Sequence, residues 1–507
     1  MSATLSPNAL FDVVVVGAGF AGLTMAYRLR EAGIEKFAIL EEADVPGGVW
    51  RDNRYPGCTC DVPSHLYSFE FAPYRDATVR YPQQSEILHY LHQVVDQYDL
   101  RRHLRVNSAV RSAIYDDSAG EWTLTTASGE IRTTAVVWGI GQLHRPYIPD
   151  DIPGLDDYRG RAFHSADRGA WAATPRLRGD VAVVGTGSSA VQMVPHLART
   201  ADMLQVYQRS AAWILPKPDA EFGAVAREIL ARVPGAHHLN RAALSLAGDQ
   251  LLAPIMRGGW PARPAEWLAR AHLYRHVRDR SLRRKLLPPY AIGEKRILLD
   301  DGAFYRALGR PQVTLVNTGI TRLTPTGILA GDGIERPAAT IVWATGFQAP
   351  EFFGGITVRG RGGLDLHQMW SEQGGRPEAW YGLAVPGFPN MYMIAGPHSF
   401  TPANSNPSMK DLQARYIVEA LRLAADLGNP IEISDVAMAS YQAWLDSALA
   451  RTVWQDGTPS WFKRAGVVTN PWPDTVGAFG RHLAEHPPHQ SFTSSAAATA
   501  PGPRIRI

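Results

Sequence analysis

One hydrophobic pattern occurs twice in the chain. Phe11 to Val16 is a largely β-branched apolar run that breaks at Gly17-Ala18-Gly19-Phe20-Ala21-Gly22, continues at helical spacing from Leu23 to Ala32, and returns to a short apolar run, Phe37 to Leu40. Val181 to Val184 likewise leads into Gly185-Thr186-Gly187-Ser188-Ser189-Ala190, a helical segment and the run Leu204 to Tyr207. Near-continuous apolar runs predict strands buried on both faces, as in a parallel sheet. Each unit is therefore predicted to be strand, tight glycine turn, helix and strand. In that layout the backbone N–H groups at the start of the helix can approach a pyrophosphate. Ala190 stands where a third glycine would, which close packing of helix on strand allows.

The two units differ where the second strand closes. The first ends in Glu41 and the second in Gln208-Arg209, each reaching its charged residue 24 positions after the first glycine (17 to 41, 185 to 209). A carboxylate there accepts from a ribose 2'-hydroxyl, whereas a guanidinium suits a 2'-phosphate. The same layout with opposite charge predicts two different dinucleotides, one with a free 2'-hydroxyl such as FAD in the first unit and NADPH in the second.

Elsewhere the pattern is mixed. Ser85 to Tyr98 has helical periodicity, while Val110 to Thr126 and Glu130 to Gly139 read as hairpin strands carrying the turn Ser128-Gly129. Pro146, Pro149 and Pro153 mark a linker and the first domain boundary. From about Pro218 to Pro289 strand patterning gives way to Ala, Leu and Arg at helical spacing, read as a helical insertion with solvated basic faces. Strand character returns at Val313 to Val316, Thr340 to Phe347 and Pro389 to Pro397, and a helix is predicted from Lys410 to Leu427. The fold class is α/β with two Rossmann-like dinucleotide-binding domains and a helical insertion. The first domain is expected over 1–153 and 340–485, the second over 154–217 and 291–339, the insertion over 218–290, and a disordered tail over 486–507.

Composition narrows the function. A formal charge of +3 over 507 residues gives no reason to expect a nucleic-acid partner. Cys58 and Cys60 are the whole cysteine content, too few for a disulfide framework or a structural zinc cluster, so no metal site is expected and a reducing, cytoplasmic setting fits. The N-terminus lacks the layout of a signal peptide and no apolar run reaches membrane-spanning length.

Between the two units lies Gly47-Gly48-Val49-Trp50, followed by Arg54-Tyr55-Pro56-Gly57 and Cys60-Asp61, a loop rich in glycine, charge and aromatics. Farther on come Tyr158-x-Gly160-x-x-x-His164, Lys295-Arg296, Ala344-Thr345-Gly346-Phe347, Ser460-Trp461 and Trp472-Pro473. With the two glycine turns, these segments resemble the class B flavoprotein monooxygenases, Baeyer-Villiger monooxygenases in particular, from Val13 to about Leu483. The resemblance implies an enzyme that uses FAD and NADPH to form a flavin peroxide from O2 and inserts one oxygen atom into a small organic substrate, a ketone being favoured, to give an ester or lactone. It implies Arg296 as the cation that stabilises the anionic peroxide and adduct, with Asp61 orienting it, and His164 near the domain junction rather than at the flavin. It also extends the cofactor-binding set beyond the two turns to Gly48, Trp50, Tyr55, Asp61, Lys295, Thr345 and Gly346. One spacing departs from the family: the residue four after His164 is Arg168, and the tryptophan is Trp171, as if three residues were inserted. An N- or S-oxygenating flavin monooxygenase is the nearest alternative. A disulfide reductase would need two cysteines at a different spacing from Cys58-Thr59-Cys60, and a non-enzymatic NADPH sensor would show no turnover.

Overall fold

Each glycine turn sits at the carboxyl end of its own parallel strand. The computed structural model describes residues 10–455, 457, 459–464, 466–495 and 505. In the first sheet the strand order is Thr357–Arg359, Val110–Asp116, Glu121–Thr126, Gly129–Trp138, Leu10–Val16, Phe37–Leu40, Leu104–Arg105. The long strand Gly129–Trp138 joins two arrangements. Its first half pairs antiparallel with Glu121–Thr126, and its second half runs parallel to Met391–Met393 on one edge and to Leu10–Val16 on the other. Val13, Val14 and Val15 are fully buried, as the continuous apolar run requires.

The expectation of one strand from Val110 to Thr126 is corrected: two strands are joined by a turn at residues 117–120. Asp116 Oδ1 accepts the N–H groups of Ser118 and Ala119 (2.8 and 3.1 Å), and Gly120 takes φ 67°, so a local side-chain turn interrupts the apolar alternation.

The second sheet is parallel throughout, in the order Val313–Val316, Met203–Tyr207, Asp180–Val184, Thr340–Trp343, Arg161–His164. The strand before the second glycine turn is thus the central one. Thr340–Trp343 lies between Asp180–Val184 and Arg161–His164, so the boundary expected at 340 is corrected. The chain returns to the first sheet only after this strand, reaching it at Thr357–Arg359 beside Val110–Asp116. A short buried strand has the same composition in either sheet, so composition alone does not assign Thr340–Trp343 to one of them.

The helices Ala224–Arg232, Ala236–Ala247, Arg263–His276 and Arg280–Leu286 occupy the insertion. Arg241 ties it to the first unit by donating to the carbonyls of His65, Leu66 and Ser68 and to the Ser408 hydroxyl. The helix Asn406–Leu427 packs on Phe20–Glu31, where a buried Arg28–Asp411 pair (2.6 Å) crosses between them. The disordered tail expected from 486 is also corrected where the structure describes it. Pro488–Ser491 is helical and Phe492–Ser494 pairs antiparallel with Ile431–Ile433, with the Phe492 ring buried near Trp380 and Tyr392. One well-placed aromatic and a strand partner outweigh the polar composition. Residues 496–504, 506 and 507 lie outside the described residues. Among the described residues no helix is long and apolar enough to cross a membrane.

Candidate active site

The two glycine turns meet the same local demands. Gly17 has φ 100° and a Cβ there would lie 2.7 Å from the Gly139 carbonyl oxygen; Gly185 has φ 115° and a Cβ would lie 2.4 Å from that of Ala344. Both positions need glycine for backbone reasons alone. Gly22 serves packing, since a Cβ would fall 1.8 Å from Gly17 O. Gly187 is different. Its φ is −80° and a Cβ would meet nothing within 4 Å, so the position is open on the side a ligand would fill. The helices Phe20–Glu31 and Ser188–Leu197 both start without a side-chain cap and without an acidic residue in the first turn. Their leading N–H groups lack an intrahelical partner and favour an anion such as a pyrophosphate. Gly48 folds over the first turn, where a Cβ would stand 3.1 Å from Gly19 Cα.

The strand ends carry the predicted charges into distinct settings. The buried Glu41 carboxylate accepts the N–H groups of Ala18 (2.8 Å) and Ala43 (3.0 Å) and pairs with Arg51 (2.5 Å). Arg209 is exposed and makes no ion pair among the described residues. It stands near Lys295, whose ammonium is held below its ordinary pKa by burial and then by the Arg209 charge, and which donates to Ser210 Oγ at 2.8 Å. Two neighbouring cations without a carboxylate between them suit a phosphate. Thr186 and Gln208 are engaged within the protein, donating to Ser210 O (3.1 Å) and Lys285 O (2.7 Å).

One cavity of about 1000 Å³ reaches both turns. Every residue expected to hold a cofactor lines it except Gly22, which lies beneath the first turn. The residues present therefore fit two dinucleotides: uncapped helix starts for the pyrophosphates, Glu41 for a ribose, and Arg209 with Lys295 for a 2'-phosphate.

On the wall of this cavity Arg296 Nη2 lies 3.6 Å from Asp61 Oδ2. Two further residues, neither singled out in the sequence, meet the other carboxylate oxygen. Gln192 Nε2 donates to Asp61 Oδ1 at 3.3 Å, and Lys217 Nζ stands 3.9 Å from it. Gln192 sits on the helix that starts at the second glycine turn. Its Oε1 accepts the Tyr55 hydroxyl (2.9 Å) and the Thr59 N–H (3.2 Å), and its Nε2 also reaches Thr59 O (3.1 Å). The 55–61 loop of the first unit is thus held by the second. Lys410, also missed, lines the cavity without an ion pair among the described residues, and burial pushes its ammonium down to about 8. A charged residue closing an apolar strand, as in Ile214-Leu215-Pro216-Lys217, was the available signal for Lys217.

His164 and Trp171 are not on the cavity wall. His164 ends its strand beside Trp343, accepts the Ala166 N–H on Nδ1 (3.1 Å) and therefore donates from Nε2 to Gly346 O (2.9 Å). Burial pushes its pKa down to about 4, which keeps it neutral. Between His164 and Trp171 the chain enters the short helix Arg168–Ala173, capped by Asp167. Trp171 is buried edge-on against Phe163 and donates to Ser165 O, while Arg168 crosses to Asp44 of the first unit (3.0 Å). Cys58 and Cys60 are buried free thiols, both pushed up to about 12 by burial. Away from the cavity His482, Glu485 and His486 bring possible ligand atoms within 4.8 Å of one another at a helix end, a grouping not expected from the sequence.

Residues 14–234 match the family described as pyridine nucleotide-disulphide oxidoreductase. A Baeyer-Villiger monooxygenase of Streptomyces coelicolor is 37% identical over 475 residues, covering 92% of this chain and 90% of the relative. The crystal structure of cyclohexanone monooxygenase from Rhodococcus sp. Phi1 bound to NADP+ superposes with TM-score 0.84 at 28% identity, covering 97% of this chain and all of the other. A phenazine N-monooxygenase of Lysobacter antibioticus is 31% identical over 480 residues, 86% of each chain.

Proposed function

This chain belongs to the Baeyer-Villiger monooxygenases, FAD- and NADPH-dependent enzymes, and we propose that it inserts one atom of O2 beside the carbonyl of a small ketone to give an ester or lactone. FAD and NADPH, held by the first and second units, supply the hydride and the oxygen-activating chemistry when bound. The observation that carries the reading is the Arg296–Asp61 pair, 3.6 Å apart on the wall of the cavity that both glycine turns enter.

Negative charge gathers on the ketone oxygen as its carbon becomes tetrahedral. A fixed guanidinium directed at that charge contributes about 2 to 4 kcal/mol to lowering the barrier, because it needs no reorganisation when the charge appears. Arg296 is the group in position to do this, and Asp61 limits its freedom. Arg209 and Lys295 hold the 2'-phosphate and set the preference for NADPH. The neutral His164 acts at a distance from the cavity. By holding the Gly346 carbonyl it fixes the segment through which the chain leaves the second sheet, where movement of one unit against the other would be absorbed. We place the enzyme in the cytoplasm, where its two thiols stay reduced.

The N-oxygenating relative favours a second reading, transfer of oxygen to a nitrogen or sulfur nucleophile in the same cavity. Incubation with NADPH and O2 and a panel of matched ketones, amines and sulfides separates the two. Ester formed in proportion to NADPH supports the first; amine or sulfide oxides without ester support the second. Disulfide reduction has no support at this site, because buried thiols with a raised pKa supply no thiolate nucleophile at neutral pH.

A further inference from the structure

Lys217 is almost wholly buried, which is costly for an ammonium unless it is paired and hydrogen-bonded. Its backbone is fixed. The strand Ile214–Pro216 runs parallel to Leu298–Asp300, and the Lys217 N–H donates to Asp300 O at 3.0 Å. Arg296 lies just ahead of that second strand. Both cations therefore leave one two-stranded ribbon of the second unit and converge on Asp61 of the first.

The contacts divide the carboxylate between them. Lys217 Nζ donates to Thr59 Oγ1 at 2.6 Å, stands over the Tyr81 ring at 4.9 Å, and approaches Asp61 Oδ1 at 3.9 Å beside Gln192. Arg296 faces Oδ2. The charge balance follows. Asp61 alone would cancel Arg296 and leave a neutral pair with little attraction for an anion, whereas a second cation on the same carboxylate restores a net positive charge.

We propose that Lys217 is a positioning residue, holding Asp61 by its Oδ1 edge so that Oδ2 is left to Arg296 and supplying the surplus positive charge that lets Arg296 act on an anion. The proposal rests on the assignment of Arg296 made above.

The test compares Lys217→Met, Lys217→Gln and Lys217→Arg with Arg296→Ala, all as FAD-loaded protein oxidising a ketone accepted by the wild type. For Lys217→Met we expect kcat for ester to fall about tenfold or more while KM for NADPH stays within about twofold, with NADPH still consumed, and Lys217→Arg to restore most of the loss. Lys217→Gln keeps a hydrogen bond to Thr59 without the charge and should resemble Lys217→Met; it serves if the latter does not fold. A second readout is independent of turnover. In urea unfolding, Lys217→Met and Asp61→Asn should be clearly non-additive, the second substitution costing less once the first is made. Coupled ester formation within about twofold of wild type in both uncharged variants, alongside a crippled Arg296→Ala, or strictly additive unfolding, would overturn the role of Lys217. Normal ester formation by Arg296→Ala would instead remove the assignment on which it rests.

Discussion

Replacing Arg209 with alanine tests the reading of the second unit at one atom pair. The cavity places Arg209 beside Lys295 with no carboxylate paired to either among the described residues, and the Lys295 ammonium is held below its ordinary pKa first by burial and then by the Arg209 charge. A charged hydrogen bond to a phosphate is worth about 1.5 to 3 kcal/mol, which corresponds to roughly tenfold to a hundredfold in affinity. Arg209 is exposed, so solvent screening puts the expected effect near the lower end. Removing it also relieves Lys295, which stays charged and retains part of the phosphate contact. Arg209→Ala should therefore raise KM for NADPH about tenfold while changing KM for NADH less than about twofold, with kcat little altered. Steady-state oxidation of the two nucleotides under identical salt gives the comparison, and the NADPH effect should shrink as salt is raised. An equal rise for both nucleotides would place Arg209 away from the phosphate.

Other consequences are equally specific. Gly187→Ala should leave the melting temperature within a degree or two of wild type and weaken NADPH binding, whereas Gly185→Ala should destabilise the fold, because only the latter has φ 115° and a carbonyl in the way; equal melting temperatures would contradict this. Changing both Cys58 and Cys60 to serine should preserve NADPH-dependent oxygenation, and its loss would reopen the reductase reading. His164, His237, His272 and His398 are buried with pKa values pushed down by burial to about 4, 4, 4 and 3 from an ordinary 6.5. Below that ordinary value the unfolded chain binds protons that the folded protein does not. Stability is therefore full above about pH 6.5 and falls toward pH 4, by on the order of 2 kcal/mol per histidine at pH 5. A melting temperature that stays flat from pH 7 to pH 5 would refute this.

The parts of the fold legible in the sequence were those whose physics is local. A strand, a glycine turn and a helix start make demands within a few residues, and the contrast of Glu41 with Arg209 needs only the end of one strand. What required long-range pairing was not legible. Thr340–Trp343 reads as a strand but does not say which sheet it joins, and Phe492 does not announce its partners. The site shows the same division. Arg296 and Asp61 lie in recognisable motifs, but Lys217 and Gln192 act only because strand pairing and a helix bring them to the same carboxylate. The unusual spacing between His164 and Trp171 falls on the short helix Arg168–Ala173, with Trp171 buried and off the cavity wall.

The most direct test is the fate of oxygen. With isotopically labelled O2, NADPH and an accepted ketone, the wild type should place one labelled atom in each molecule of ester, and Arg296→Ala should go on oxidising NADPH while forming almost none. Unlabelled ester, or labelled ester at the wild-type rate from Arg296→Ala, would contradict oxygen insertion at the Arg296–Asp61 pair.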